Sequence, residues 1–234
     1  MLRTGRAGTT SAAVVATQIL STFTGIRFGL MVGVGGGVPS EENGVRLDDV
    51  VICKPTASFG GVIQYDNGKT ELEGRIARIG SLNQPPDQDK LFKPEYPHPE
   101  DKFTCADCDD DEKISRTEPE RLPDQPLIHY GLIASGNQVM RDEITRETLR
   151  KELNILCFEM EAAGLMNTFP CLMIRGICDY ADSHKNRIWQ PYAAATAAAY
   201  AKELLCIIPG PQVSHTRTAT EVMPKHGEWS QLGA

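Results

Sequence analysis

The 234-residue sequence has no apolar run long enough to cross a bilayer, so no membrane span is expected. Its N-terminus, MLRTGRAGTTSAA, carries basic residues but no apolar h-region, which argues against a signal peptide. Positive charge is in short supply: 24 Lys and Arg face 31 Asp and Glu, for a formal net charge of −7. No basic patch stands out, so no nucleic-acid partner is expected. The glycine run Gly35-Gly36-Gly37 lacks a following Gly-Lys-Ser/Thr, so it is not a Walker loop. No internal repeat is visible. Of the seven cysteines, Cys53, Cys157, Cys171, Cys178 and Cys206 lie in apolar runs and read as reduced core residues. A cytoplasmic location fits that usage.

The length suffices for one α/β domain with a sizeable core. Its organising stretch is Leu156 to Asp182, which reads as strand, helix, strand and loop. Leu156-Cys157-Phe158 is apolar and ends in Glu159-Met160-Glu161. Ala162, Ala163, Leu165 and Met166 follow at helical spacing, and Phe169-Pro170 ends the helix. Cys171 to Cys178 is nearly all apolar, as a strand covered on both faces would be, and it runs into Asp179-Tyr180-Ala181-Asp182. Acids thus end two neighbouring strands, at the sheet edge where open α/β folds bind ligands. A carboxylate such as Glu161 can hold two adjacent hydroxyls of a ribose, and a partly buried acid such as Asp179 can hold or give a proton. The plainer reading of each acid is a solvated loop residue. Arg175, a charge inside an apolar strand, should pair with one of these acids.

Upstream, Thr9 or Thr10 is placed to cap a helix through Leu20. Arg27 to Val34 reads as a strand opening into Gly35-Gly36-Gly37, where missing side chains let backbone approach a ligand. Val45 to Lys54 and Gly61 to Tyr65 read as strands. Asp66-Asn67-Gly68 is a hairpin signal, with Glu73 to Ile79 returning. Residues 83–126 are rich in Pro and charge and read as an insertion or interface lid. Within it Cys105-Ala106-Asp107-Cys108 has metal-ligand spacing, which His98 or Asp109 to Asp111 could complete. One such pair alone is weak, and a plain surface turn is the favoured reading, with no metal expected. Leu127 to Ser135 reads as a strand, Asp142 as the cap of a helix through Leu153, and Ile188 to Ile208 as an alanine-rich helix. His184-Lys185-Asn186 reads as polar loop. Residues 209–234 lack periodicity and read as a flexible tail or linker.

Four pieces together resemble the nucleoside phosphorylase/nucleosidase superfamily: Met31-Val32-Gly33-Val34-Gly35-Gly36-Gly37, Ala134-Ser135-Gly136-Asn137, Phe158-Glu159-Met160-Glu161-Ala162-Ala163, and Arg175-Gly176-Ile177-Cys178-Asp179 with Asp182. The wording of IHYGLIASGNQVMRD and RGICDYADSHKN is similar to a fungal branch in which the domain precedes a nucleotide-binding module of the NLR type. The resemblance covers most of residues 8–208. It implies a single three-layer α/β domain with a mixed, twisted central sheet flanked by helices. It also implies a purine nucleoside as ligand, no cofactor, and a homo-oligomer.

The resemblance assigns roles as well. Asp179 matches the acid that serves the purine N7, and Glu161 the clamp on the ribose hydroxyls. Met160 matches a residue packed under the sugar, and Glu159 an acid beside the ribose site. Phe158, Val139 and Met140 match the lining of the base pocket, and Gly35 and Gly36 match backbone contacts near base and sugar. Glu161 as a helix cap and Asp182 as an orienter of the Asp179 loop are the structural alternatives. Cys178 stands where many relatives have Ser and is not expected to be a nucleophile. Met31 and Val34 stand where phosphorylases carry Arg and Ser on phosphate, and neither binds an anion. That tilts the expected reaction from phosphorolysis to hydrolysis. Relatives have a further strand pair before the helix near Thr10, so the domain reads as N-terminally shortened. A binding or signalling module without turnover is the reading from a different class.

Overall fold

The computed structural model describes residues 8–65, 85, 89–99, 105–116, 126–166, 169 and 171–222. The hairpin expected at Asp66-Asn67-Gly68 and its returning strand lie outside these residues.

Helix α1 (Thr9–Thr22) leads into β1 (Gly29–Gly37), β2 (Val50–Cys53) and β3 (Val62–Gln64). Two 3-10 turns, Cys105–Asp107 and Asp110–Glu112, follow. Then come β4 (Ile128–Ser135), α2 (Glu143–Leu153), β5 (Ile155–Glu159), α3 (Ala162–Met166), β6 (Cys171–Asp179) and α4 (Gln190–Ile207). The six strands form one mixed sheet in the order β2-β6-β1-β5-β4-β3, coiled enough for β2 to pair with β4 as well. This is the mixed α/β architecture expected, and among the described residues no helix is long and apolar enough to cross a membrane.

β1 is the element that organises the sheet. It runs parallel to β6 from Gly29 to Gly36 and meets β5 antiparallel only at its end, through Gly36↔Phe158 and Gly37↔Cys157. The glycines expected to open a loop are therefore strand residues: Gly35 pairs with β6, Gly37 with β5 and Gly36 with both. A register shift against β6 falls between Gly35 and Gly36, and such bulges re-aim the chain beside binding sites. β6 is buried along nearly its whole length, as its apolar run required. Alanines spaced by four, Ala193, Ala197 and Ala201, bury one stripe of α4 against β6, β1 and β2. The other helices pack elsewhere, α1 on α3 and α2 beside β5.

Three local expectations are corrected. α1 is not capped by its threonines. Gly8 sits at the cap position, and Thr9 donates both its N–H and its hydroxyl to Asn137 Oδ1 at 3.1 Å. A side chain from the loop after β4 thus replaces a local cap. β2 is shorter than Val45 to Lys54 because Asp49 diverts the backbone. Its fully buried carboxylate accepts from Arg46 N at 2.8 Å and Leu127 N at 2.9 Å, and pairs with His129 Nε2 at 2.8 Å. Beyond α4, where the sequence shows no periodicity, two short helices form: α5 (Gly210–His215) and α6 (Ala219–Val222). Ala219 is buried there and donates to Ile26 O at 2.6 Å.

Asp142 does cap α2, accepting from Thr145 N at 2.6 Å, and Asn154 ends the helix in the left-handed region. Asp142→Ala is expected to lower stability by about 1 kcal/mol, read from the denaturant midpoint. Those hydrogen bonds hold the Asp142 carboxyl below its ordinary value. A depressed folded-state value means that the contribution is present at neutral pH. It fades as pH falls below the free-aspartate value of about 3.9. A variant whose deficit persists undiminished well below that pH would contradict the cap.

Candidate active site

The two acid-bearing strand ends are built differently. At the end of β5, Glu159 is buried and its carboxylate turns forward over α3. It accepts from Glu161 N at 3.1 Å and from Ala162 N at 3.0 Å. It is Glu159, not Glu161, that caps this helix. The reason is reach: the strand ends at Glu159, and its side chain can fold back onto amides two and three residues on. Arg175, on β6, donates to the same Glu159 carboxylate and stands 3.5 Å from Glu161 Oε2. The expected pairing of Arg175 is thus with both acids, Glu159 foremost.

The Arg175 guanidinium lies across β1, where a Cβ on Gly33 would come 2.2 Å from Nη1. It also donates to Met31 Sδ at 3.3 Å. Beside Glu159, the cap and counter-ion, Glu161 is half-buried and, among the described residues, has Arg175 as its nearest cation. Burial raises its carboxyl above the ordinary glutamate value, Arg175 pulls it back, and Glu159 adds to the rise. Met160, between them, is half-buried.

At the end of β6, Asp179 is 5% exposed. One carboxylate oxygen accepts from Ala181 N at 2.9 Å. The other pairs with Lys185 Nζ at 2.9 Å and accepts from the Cys178 thiol at 3.2 Å. Ala181 has φ 53, an uncommon conformation for a residue with a side chain, and it turns the loop back over its own carboxylate. Beneath lies Gly36, whose Cβ would meet Asp179 Oδ1 at 2.7 Å and the Ala181 Cβ at 2.9 Å. Gly36 is cross-strand partner to Phe158 as well as to Asp179. This one glycine therefore joins the acid to the aromatic side of the site.

Phe158 and Met140 are buried together with Ala181, Val38 and Ala134, and Tyr65 packs edge-on to Phe158 at 5.2 Å. Gly35, Gly36, Phe158, Met140 and Asp179 thus converge. Val139 is 39% exposed and stands outside that cluster. Val34 packs with Cys178, Trp189 and Ala193 toward α4.

Sequence reading missed the residues that hold the acid loop. Lys185 lies in the stretch that reads as polar loop, and a basic residue six positions past Asp179 is its visible signal. Arg146, buried on α2, donates to Tyr180 O at 2.8 Å and stands 3.5 Å from Asp182. Burial pushes the Asp182 carboxyl up to about 7, against the pull of Arg146, with Asp179 and Glu143 adding to the rise. These contacts fit Asp182 as an orienter of the loop.

The described part of the insertion covers the same loop. Tyr180 Oη donates to Asp89 and accepts from Arg116 Nη1 at 2.7 Å and Leu47 N at 3.2 Å. Between Asp179, Cys178, Asp182 and His184 a cavity of about 30 Å³ remains, room for ordered water rather than for an organic ligand.

The chain is similar to several known proteins. A nucleotide-binding leucine-rich repeat (NLR)-like protein of Hyaloscypha variabilis is 43% identical over 87% of this chain, which spans 24% of that protein's length. A 5'-methylthioadenosine/S-adenosylhomocysteine nucleosidase of Mycobacterium bovis is 28% identical over 83% of this chain and 77% of its own. Among solved structures, the Helicobacter pylori 5'-methylthioadenosine/S-adenosyl homocysteine nucleosidase superposes with TM-score 0.54 at 17% identity, covering 87% of this chain and 78% of its own. Futalosine hydrolase of Helicobacter pylori gives TM-score 0.53 at 17% identity, over 87% of this chain and 77% of its own. These two speak for the fold. The phosphorylase superfamily matches residues 1–206. That span takes in every strand of the sheet and both acid-bearing strand ends, and the chain belongs to the phosphorylase superfamily.

Proposed function

We propose that this domain cleaves the N-glycosidic bond of a purine nucleoside by hydrolysis. The observation that carries the reading is Gly36, which brings the Asp179 carboxyl and the Phe158 cluster to one strand position. On this reading the purine binds on the Phe158 and Met140 side of Gly36, apart from the water-sized cavity between Asp179 and His184, with Asp179 toward N7. Glu161, held near Arg175, takes the ribose hydroxyls. As the bond between C1′ and the base nitrogen breaks, negative charge gathers on the base and positive charge on the sugar. Asp179, a carboxylate paired with Lys185 in the free site, takes up a proton as that pair opens and gives it to N7, which neutralises the leaving group. Lys185 then stands beside the carboxylate that is left. Water supplies the hydroxyl that bonds to C1′ and, in the net balance, the proton that Asp179 passes on.

Hydrolysis is favoured over phosphorolysis by the β1 side chains. Met31 accepts from Arg175 through sulfur and Val34 is packed among apolar residues, so neither offers an anion a donor. A second reading, a nucleoside-binding module without turnover, draws on the NLR-like relative, of which this chain spans only 24%.

The test is release of free base from methylthioadenosine, adenosine and inosine, with and without phosphate. Release that ignores phosphate is the expected result. Release only with phosphate would replace hydrolysis by phosphorolysis. Saturable binding with no release would favour the binding module.

A further inference from the structure

Among the described residues, His98, Cys105, Cys108 and His184 bring four ligand atoms within 4.8 Å of one another. Cys105 opens the first 3-10 turn of the insertion, Cys108 directly follows that turn, and His184 comes from the loop after β6. We propose that these four residues form a structural zinc site that fastens the insertion to the loop carrying Asp179.

The side chains are arranged as ligands. His184 Nε2 lies 2.9 Å from Tyr96 O, and a carbonyl can only accept, so the proton is on Nε2. The bare Nδ1 faces Cys105 Sγ at 3.6 Å and Cys108 Sγ at 3.8 Å. His98 Nδ1 is tied in the same way to Pro99 O at 2.9 Å, which leaves Nε2 as its lone-pair nitrogen. A histidine whose outer N–H is held by a carbonyl is the usual supporting contact of a metal ligand. A tetrahedral ion with Zn–S of about 2.3 Å and Zn–N of about 2.0 Å sets sulfur and nitrogen about 3.5 Å apart. The observed separations fall beside that value.

Two sulfurs and two imidazoles select zinc over calcium or magnesium, which need oxygen ligands. The surroundings are closed, as a structural site requires. Phe92 stacks on His184 at 4.1 Å, and His184 and Cys108 are buried. The acids that follow turn elsewhere: Asp109 accepts from Asp111 N, and Asp110 pairs with Lys90 and Lys113.

A metal here has a structural task. The described insertion holds two 3-10 turns and an isolated bridge, Phe92↔Lys113. Segments with so little regular structure commonly need a metal or disulfide staple. The staple would act on the next residue as well, since Lys185 holds Asp179.

The experiment is metal analysis of the full chain, purified without chelator and equilibrated with zinc, beside the visible spectrum of the cobalt(II)-substituted protein. About one zinc per chain and thiolate-to-cobalt charge-transfer bands are expected. Cys105→Ser with Cys108→Ser should lose both, and Cys206→Ser, at an exposed cysteine, should keep both. Substoichiometric zinc, a cobalt spectrum without thiolate bands, or an ion retained by the double variant would each overturn the site. So would a disulfide between Cys105 and Cys108 in the protein as purified. If the double variant does not fold, the wild-type cobalt spectrum still decides, because those bands require cysteine ligands.

Discussion

Arg175→Ala is expected to destabilise the domain by about 3–5 kcal/mol. The substitution removes the cation from the buried Glu159 carboxylate and leaves the Glu159 charge with only backbone amides around it. It also empties the space over Gly33 that the guanidinium fills. For a chain of this size, such a loss lowers Tm by roughly 6–20 °C. A double substitution separates the charge from the cavity. Glu159→Gln keeps an oxygen for the Glu161 and Ala162 amides, so Arg175→Met with Glu159→Gln should recover much of the loss. Replacing both members of a buried pair is often close to neutral. Chemical denaturation of Arg175→Met, Glu159→Gln and the double gives the coupling. A single Arg175→Ala variant within about 1 kcal/mol of wild type would mean that the pair does not organise β5, β6 and α3 as described.

Asp179→Asn should lower the rate of base release by about 10²–10⁴-fold, the range general-acid catalysis contributes. Asparagine is the same size, and its carbonyl can still accept from Ala181 N, so the loop over Gly36 should keep its course. The ion pair with Lys185 is lost, but the Lys185 side chain is 22% exposed and its ammonium can turn to water, which limits the stability cost. Loss of rate with an unfolding midpoint near that of wild type is therefore the signature expected. Near-full activity would remove Asp179 from the role of acid, whereas loss of rate and fold together would point to a structural task. Lys185→Met offers a comparison, since it should weaken turnover less than Asp179→Asn.

Elements governed by local chemistry were legible in the sequence. The apolar run of β6, the alanine stripe of α4 and the Asp142 cap each carry their reason within a few residues. Arg175 was recognisable as a paired charge because an apolar strand has no other use for one. Choosing between Glu159 and Glu161 needed the strand's end point, which periodicity does not give. The glycines of β1 looked like loop because the partners that make them strand, Phe158 and Asp179, lie more than a hundred residues away. The cap of α1 is likewise remote, at Asn137. Cys105 and Cys108 declare themselves by spacing, but their nearest nitrogen, on His184, is separated from them by 79 and 76 positions.

That β1 takes both of its neighbours from the second half of the chain bears on how the protein is made. Ribosomes add about 5–20 residues per second. The nascent β1 therefore waits roughly 10 s for β5 and β6, with both hydrogen-bonding edges open. Glycine-rich and apolar, it is during that interval an adhesive strand, and chaperone supply should govern soluble yield more than final stability does.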